Sequence, residues 1–422
     1  MLFERPEVGD RAVVVQVELK HLVNPNLDEF VELARSAEIN VVDVMPARRD
    51  APNPRWFIGT GKVAEVGASL RAHTADLVLI NHELSASQQR NLEKEFDCRV
   101  ITRTELILTI FADRARSHEG QLQVELAQLK HAQTRLVRGW THLDRQKGGI
   151  GLRGAGEKQI ELDNRMLSER IKATAKKLED VGKRRRQNRR ARHRRGTPTV
   201  TLVGYTNAGK STLFNAMTNA SVEAVDMLFA TLDPTMRKVD IPGAGNVVLA
   251  DTVGFVSRLP HELVEAFKAT LEEVVQADLL LHVVDACDPL RDEHVQQVRS
   301  VLEEIGAGGV PEIMVLNKSD LVVGGQDVSP CDGRSVLVSG LTHSGLDELI
   351  EAIADELGVV APHEVVLDPA DGRTRAWLYE AGAVLHEAHL EDGRVQLTLR
   401  ADQQLLDELQ SYSRVLLRGS LG

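Results

Sequence analysis

The string T-V-T-L-V-G-Y-T-N-A-G-K-S-T-L-F, residues 199–214, decides the fold. Its first five residues are β-branched or apolar and predict a buried strand, and the residues from Ser211 onward predict the helix that leaves the turn. Between them Gly204, Tyr205, Thr206, Asn207, Ala208, Gly209, Lys210 and Ser211 have the spacing of a loop that cradles phosphate. Gly204 and Gly209 let backbone N–H groups point inward without a Cβ in the way. Lys210 brings a cation to the β- and γ-phosphates, and Ser211 a hydroxyl to magnesium. Strand, loop and helix in that order imply an α/β domain around a parallel sheet.

Working outward, Asp251-Thr252-Val253-Gly254 closes an apolar run at 246–250, which puts the Asp251 carboxylate at a strand's carboxyl end, within indirect reach of the magnesium. Gly254 can offer its N–H to the γ-phosphate, a contact that exists only while that phosphate does. The segment L-F-A-T-L-D-P-T, 228–235, has no clear period and suits a loop whose hydroxyl joins the magnesium. Thr231 lies there among Phe229, Ala230, Leu232 and Asp233, and on the residues alone Thr206 and Thr235 are equal candidates for that hydroxyl. Asn317-Lys318-Ser319-Asp320 ends the apolar strand at 313–316. One carboxylate, that of Asp320, can accept from both the ring N–H and the amino group of guanine, and adenine offers no such donor pair. Val338, Ser339 and Gly340 follow a short apolar strand and complete the base contacts. Phe255 stands one residue past Gly254, where an attacking water needs orienting, and a phenyl ring cannot do so; slow unassisted hydrolysis is expected.

The chain has 422 residues, 42% apolar and 27% charged, enough for two to four domains with ordinary cores. Its start lacks an apolar signal region and its longest apolar run, 279–286, is too short for a bilayer, so a cytoplasmic protein without a membrane span is expected, associating peripherally at most with ribosomes or membrane. Cys98, Cys287 and Cys331 fit neither a disulfide framework nor metal-ligand spacing. A monomer is expected.

The net charge of −11 is unevenly spread: residues 130–195 hold 21 Lys and Arg against 7 Asp and Glu, a basic arm on an acidic body. Leu122, Leu129 and Leu136 recur every seven residues with Leu126, Gln133 and Trp140 as a companion row, and a second periodic stretch, 157–195, puts Ile160, Leu167, Ile171, Leu178 and Val181 on one side. Two helices packed as an antiparallel hairpin follow. Between them R-Q-K-G-G-I-G-L-R-G-A-G, 145–156, has five glycines in its last nine residues among Arg145, Lys147 and Arg153, a tip that fits close approach to structured RNA. Nine of the thirteen residues from Lys183 to Arg195 are basic, a density that a polyanion would relieve.

Alternating strand-like and helix-like segments at 12–19, 27–36, 40–45, 62–71, 76–81, 85–96, 98–101 and 105–114 predict a small α/β domain with a mainly parallel sheet. Within it Gly59-Thr60-Gly61-Lys62 precedes a helix and offers a second, weaker phosphate site. Past Pro362, a helix-like 373–383 and strands near 384–390 and 395–399 around Glu391-Asp392-Gly393 predict a small α+β unit with a hairpin.

This combination resembles the HflX family of ribosome-associated GTPases. The resemblance rests on 203–215 and 228–235, on D-T-V-G-F at 251–255, on R-A-R-S-H-E-G-Q-L-Q-V-E-L-A-Q-L at 114–129, on W-T-H-L-D-R-Q-K-G-G-I-G-L-R-G-A-G-E at 140–157 and on Q-Q-R-N-L-E-K at 88–94. It implies an α/β multidomain fold: an N-terminal α/β domain (1–115), a basic helical hairpin (116–196), a Ras-like P-loop GTPase domain (197–358) and a small C-terminal α+β domain (359–422). It implies GTP/GDP and Mg2+ as ligands, Ser211 and Thr231 on the metal, and Lys210, Thr231 and Gly254 in hydrolysis. Its partner would be the large (50S) ribosomal subunit and its rRNA, and its work the splitting of stalled ribosomes under stress. An alternative is an ATP/GTP-dependent RNA-remodelling protein acting on rRNA through its N-terminal domain. Three positions depart from the family pattern: Ala155 for proline in the loop, Gly340 for alanine in the base-contacting turn, and Thr102 for an acidic residue before Arg103-Thr104.

Overall fold

A computed structural model describes residues 9–20, 26–144, 155–193, 197–218, 227–229, 231–242, 244–256, 271–322, 334–357, 363–368, 371–380, 383–390, 393–399, 409 and 416–418; for 137–144, 155–161, 184–193 and a few residues beyond 362 it describes the backbone alone. Two compact units result. The first is Met1–Arg184 with Val225–Asp233 and Val253–Thr270, and the second is Arg185–Ala224, Pro234–Thr252 and Leu271–Gly422.

In the first unit β1 (Arg11–Leu19), β2 (Asn40–Arg49), β3 (Leu77–Ile80) and β4 (Arg99–Thr102) form an all-parallel sheet in the order β2-β1-β3-β4. Side chains alternate across a strand, so Ala12 and Val14 of β1 join one core with α1 (Leu27–Ser36) and α4 (Arg103–Arg114). Val13, Val15 and Val17 join a second core, with α2 (Thr60–His73) and α3 (Ala86–Phe96). Both faces are covered, which is why β1 reads as unbroken valine and alanine. The sheet is the expected one, with β2 running to Arg49 rather than stopping at 45.

Thr102 gains a role here. Its side chain accepts the Glu105 N–H while Glu105 accepts the Thr102 N–H at 2.9 Å, a reciprocal cap on α4. Next to it Arg103 is buried and donates to Glu29 at 2.8 Å and Asn81 at 3.1 Å, so the charge is paired inside.

Helices α5 (His118–Asp144) and α6 (Ala155–His193) form the arm. Gln133 donates to Ser168 at 2.9 Å and Arg170 to Glu125 at 2.6 Å, contacts that run antiparallel. Leu122, Leu126 and Leu129 are buried, as the heptad implies, yet Val124 and Ala127 on the same helix enter the core of the α/β sheet. Thus α5 is more than a hairpin strut; it is a layer of the first domain. The seam residues of α6 are less covered: Leu167, Ile171, Leu178 and Val181 are half-buried, and Leu162 and Met166 are exposed. The glycine-rich tip at 145–154 and the side chains of the basic run at 184–195 lie outside the described residues.

The second unit holds a six-stranded sheet of β5 (Thr199–Val203), β6 (Thr235–Ile241), β7 (Gly245–Asp251), β8 (Leu279–Asp285), β9 (Glu312–Asn317) and β10 (Ser335–Leu337), in the order β10-β9-β8-β5-β7-β6. All pairs are parallel except β6 with β7. Helices α7 (Lys210–Thr218), α8 (Arg291–Ile305) and α9 (Leu346–Glu356) accompany it. Chain order reverses at β5 and β8, and ligands of such sheets bind outside the carboxyl ends of the strands at that reversal. Strand β6 is an edge strand with Arg237 and Lys238 exposed, and it is not among the elements expected from the sequence.

Last come β11 (His363–Leu367), α10 (Gly372–Glu380), β12 (Val384–His389), β13 (Val395–Leu399) and β14 (Leu416–Arg418), an antiparallel sheet in the order β12-β13-β11-β14 over Val365, Leu378 and Leu397. The expected β12–β13 hairpin is present, with Gly393 at φ 83°. Among the described residues no helix is long and apolar enough to cross a membrane.

Candidate nucleotide site

The loop between β5 and α7 is held in shape by close approach. Gly204 has φ 149° and Gly209 φ 88°, and a Cβ on either would collide, with the Val283 carbonyl oxygen in the first case and with Asn317 Nδ2 in the second. Lys210 is buried and its Nζ donates to the carbonyl oxygens of Gly204 (3.0 Å) and Tyr205 (2.7 Å), which orient the ammonium without neutralising it. Burial drives its pKa down to about 8 against the opposing pull of Asp251. A desolvated cation in a glycine-lined cradle at a helix N-terminus suits a polyphosphate, which would restore the charge that burial disfavours. Ser211 Oγ donates to Asp251 Oδ2 at 2.8 Å, so the hydroxyl and carboxylate suited to a hard divalent cation lie together. Thr252 turns away and donates to the Leu202 carbonyl at 2.6 Å, bracing β7 against β5.

Asn317, at the end of β9, ties three loops together. Its Nδ2 donates to the Ala208 carbonyl at 2.9 Å and its Oδ1 accepts the Gly340 N–H at 3.0 Å. Asp320 accepts from the Ser339 hydroxyl at 2.5 Å, which orients its carboxylate and leaves further acceptor positions for a base edge. Lys318 adopts φ 64° and its Nζ pairs with Asp285 at 2.8 Å, while Ser319 N–H bonds the carbonyl of buried Val338. Gly340 packs tightly: a Cβ there would lie 3.1 Å from the Leu213 nitrogen, so the alanine of the family pattern would need α7 to give by a few tenths of an ångström. The outer flank escapes sequence reading. Tyr205 stacks on His294 of α8 with centroids 3.8 Å apart and planes 15° from parallel, and His294 Nδ1 lies 2.5 Å from Asp288. Burial would raise the Asp288 carboxyl; the bond to His294 outweighs it and holds the group below its ordinary range. No spacing pairs residues so far apart in the chain.

Of the remaining expected residues, 229–233, Val253 and Gly254 sit in the first unit. Phe229, Leu232 and Val253 are buried in the core that contains Phe30 and Phe111, and Phe255 is buried as well. Asp233 gives its carboxylate to the backbone before α5. Thr231 and Gly254 belong to the same unit, Asn207 holds φ 61° on the exposed side of the loop, and Ala230 lies outside the described residues. At the second, weaker phosphate string, Gly59 begins α2 without a side-chain cap and Lys62 pairs with Glu65 in its own helix.

Four family profiles match in series: one described as GTP-binding GTPase N-terminal over 24–112, a GTP-binding GTPase middle region over 114–192, a 50S ribosome-binding GTPase over 199–318, and the HflX C-terminal domain over 331–414. GTPase HflX of Escherichia coli (strain K12) is 50% identical over 408 residues, 94% of this chain and 95% of that one. GTPase HflX of Magnetococcus marinus is 44% identical over 400 residues, 93% and 92% of the two chains. Among solved structures, a GTP-binding protein from Sulfolobus solfataricus in complex with GDP superposes with a TM-score of 0.45 at 24% identity, over 82% of this chain and 98% of that one. The protein therefore has a P-loop GTPase fold with added N- and C-terminal domains, and it belongs to the HflX family of GTPases.

Proposed function

We propose that this GTPase acts on the large ribosomal subunit, to which its basic arm is attracted, and that it separates the subunits of stalled ribosomes and resets by hydrolysing GTP. The carrying observation is the cradle of buried Lys210 with Ser211 beside Asp251 in the same chain as an arm of 21 basic and 7 acidic residues. Ser211 and Thr231 would hold Mg2+, which when bound screens the phosphate charge. Lys210 grips the β- and γ-phosphates, Gly254 offers its N–H to the terminal one, and Asp320 selects guanine. Residues 204–211, 317–320 and 338–340 line the nucleotide, with 229–233 and 251–254 completing it. Buried Phe255 has no group to orient water, so unassisted turnover is slow and the ribosome, a monovalent cation or a backbone group completes the site. The four-part division at 115, 196 and 358 belongs to the same reading, as does action in the cytoplasm as a monomer.

Co-sedimentation with purified large subunits, in GDP and in a non-hydrolysable GTP analogue across a salt series, tests it. Binding should depend on the nucleotide, and changing Arg184, Arg185 and Arg186 to serine should flatten the salt slope by about 3, near one for each phosphate no longer neutralised. Binding indifferent to nucleotide, or an unchanged slope, contradicts the reading.

A further inference from the structure

The segment that carries Thr231 ends on the first turn of the arm. Asp233 accepts the backbone N–H of Arg116 at 2.9 Å and of Ser117 at 2.7 Å, and it accepts the Ser117 hydroxyl as well. Ser117 Oγ in turn accepts the Gly120 N–H at 2.9 Å, which makes Ser117 the cap of α5. The start of a helix has orphan donors and partial positive charge, so a carboxylate is favourable there. Here it comes from a residue 116 positions further along the chain.

Gly120 is the independent observation. Glycine in a helix costs about 1 kcal/mol relative to alanine, yet it occupies the third position of α5. A Cβ at that position would collide with Asp233 Oδ1 and crowd Ser117 Oγ. The glycine admits the carboxylate. Around this contact the segment is pinned by its neighbours: the Leu228 N–H donates to Ser36 Oγ at 3.0 Å, and Phe229 packs edge-on to Phe111 with centroids 4.5 Å apart. Phe229 itself sits at φ 57°, a conformation that an aromatic residue keeps only when its surroundings impose it. Beyond the first turn α5 is fixed to α4, with Arg135 2.7 Å from the buried carboxylate of Glu105. Asp233 thus holds the residues at which α5 begins, ahead of the part fixed to α4.

We propose that Asp233, seated over Gly120, is a nucleotide-sensitive clasp on the arm: it braces Ser117, the N-cap of α5, and capture of Thr231, two residues earlier, by GTP and magnesium withdraws it and frays the first turn. This rests on the GTPase reading above and adds to it the route by which the nucleotide reaches the arm.

Hydrogen exchange of the amides at 116–121 tests it in the full chain, with nucleotide binding followed in parallel by calorimetry. In the wild type these amides should exchange about fivefold faster with the GTP analogue than with GDP, the size of one missing cap. Gly120→Ala, which improves helix propensity and leaves the cradle untouched, should exchange fast with either nucleotide while binding GDP as the wild type does. Asp233→Ala should show the same loss of nucleotide dependence, a second route to the result if Gly120→Ala does not fold. Equal or slower exchange with the analogue, both nucleotides being bound, overturns the clasp and spares the GTPase reading; retained protection in either variant overturns it also. If calorimetry shows that neither nucleotide binds, the GTPase reading fails and the clasp with it.

Discussion

Two regions of this molecule, both expected to meet the nucleotide, are built by opposite means. In the nucleotide cradle the loop itself is local: Gly204, Gly209, Lys210 and Ser211 lie within eight residues, and the side chains that join them, Asp251 and Asn317, stand at the ends of β7 and β9 of the same sheet. The segments at 227–233 and 253–256 do the reverse. They lie between strands of the GTPase sheet in the sequence, yet Leu228, Phe229, Leu232, Val253 and Val256 are built into the core of the first unit with α1, α4 and α5. The cradle lies wholly in the second unit, whereas the segments expected to sense the γ-phosphate belong structurally to the unit that bears the arm.

The largest test of this contrast is Phe229→Ala. Phe229 is 2% exposed, and its loss should cost about 3 to 5 kcal/mol in the first unit's unfolding, read by denaturant titration, while GDP binding at the cradle stays within about threefold. Loss of GDP binding with unaltered stability would mean that the segment serves the cradle instead.

Acid should weaken the first unit through Glu105. Burial raises the Glu105 carboxyl, but the His131 side chain, the Arg135 guanidinium 2.7 Å away and the Thr102 N–H together outweigh burial and bring it down to about 2. A carboxyl depressed from 4.5 contributes stability that is present above that value and lost as pH falls from about 4.5 to about 2, on the order of 3 kcal/mol. Unfolding followed across that window should show the wild type losing stability steeply and Glu105→Gln, already weakened at neutral pH, losing less. Parallel acid curves for the two would remove Glu105 from the account.

A smaller effect sharpens the same comparison. Thr102→Ala removes the side-chain half of the α4 cap and should cost about 1 kcal/mol by thermal unfolding, with GDP affinity unchanged. A cost near zero would mean that water caps the helix as well.

The cradle was legible because its chemistry is written at short range: glycines where the backbone must turn left-handed, a lysine and a serine where charge and hydroxyl are needed. The α/β domain was legible for a similar reason, since valines on both parities of β1 announce a strand buried on two faces. What was hidden is long-range. Nothing near Asp233 predicts that its carboxylate will brace the start of a helix 116 residues back, nothing near Tyr205 points to His294, and the heptad of α5 gives no sign that Val124 and Ala127 face a sheet. The cap at Thr102 is a different case: T-R-T-E at 102–105 is a reciprocal-cap string in plain view, and comparison with the family's acidic residue obscured it.

The measurement closest to the centre of this account is a side-by-side calorimetric titration of GDP and ADP into the full-length protein. With Asp320 oriented by Ser339 and Asn317 bonded to the loop at Gly340, GDP should bind at micromolar concentration or tighter and ADP at least about tenfold to a hundredfold more weakly. Equal heats and affinities for the two, or none for GDP, would contradict it.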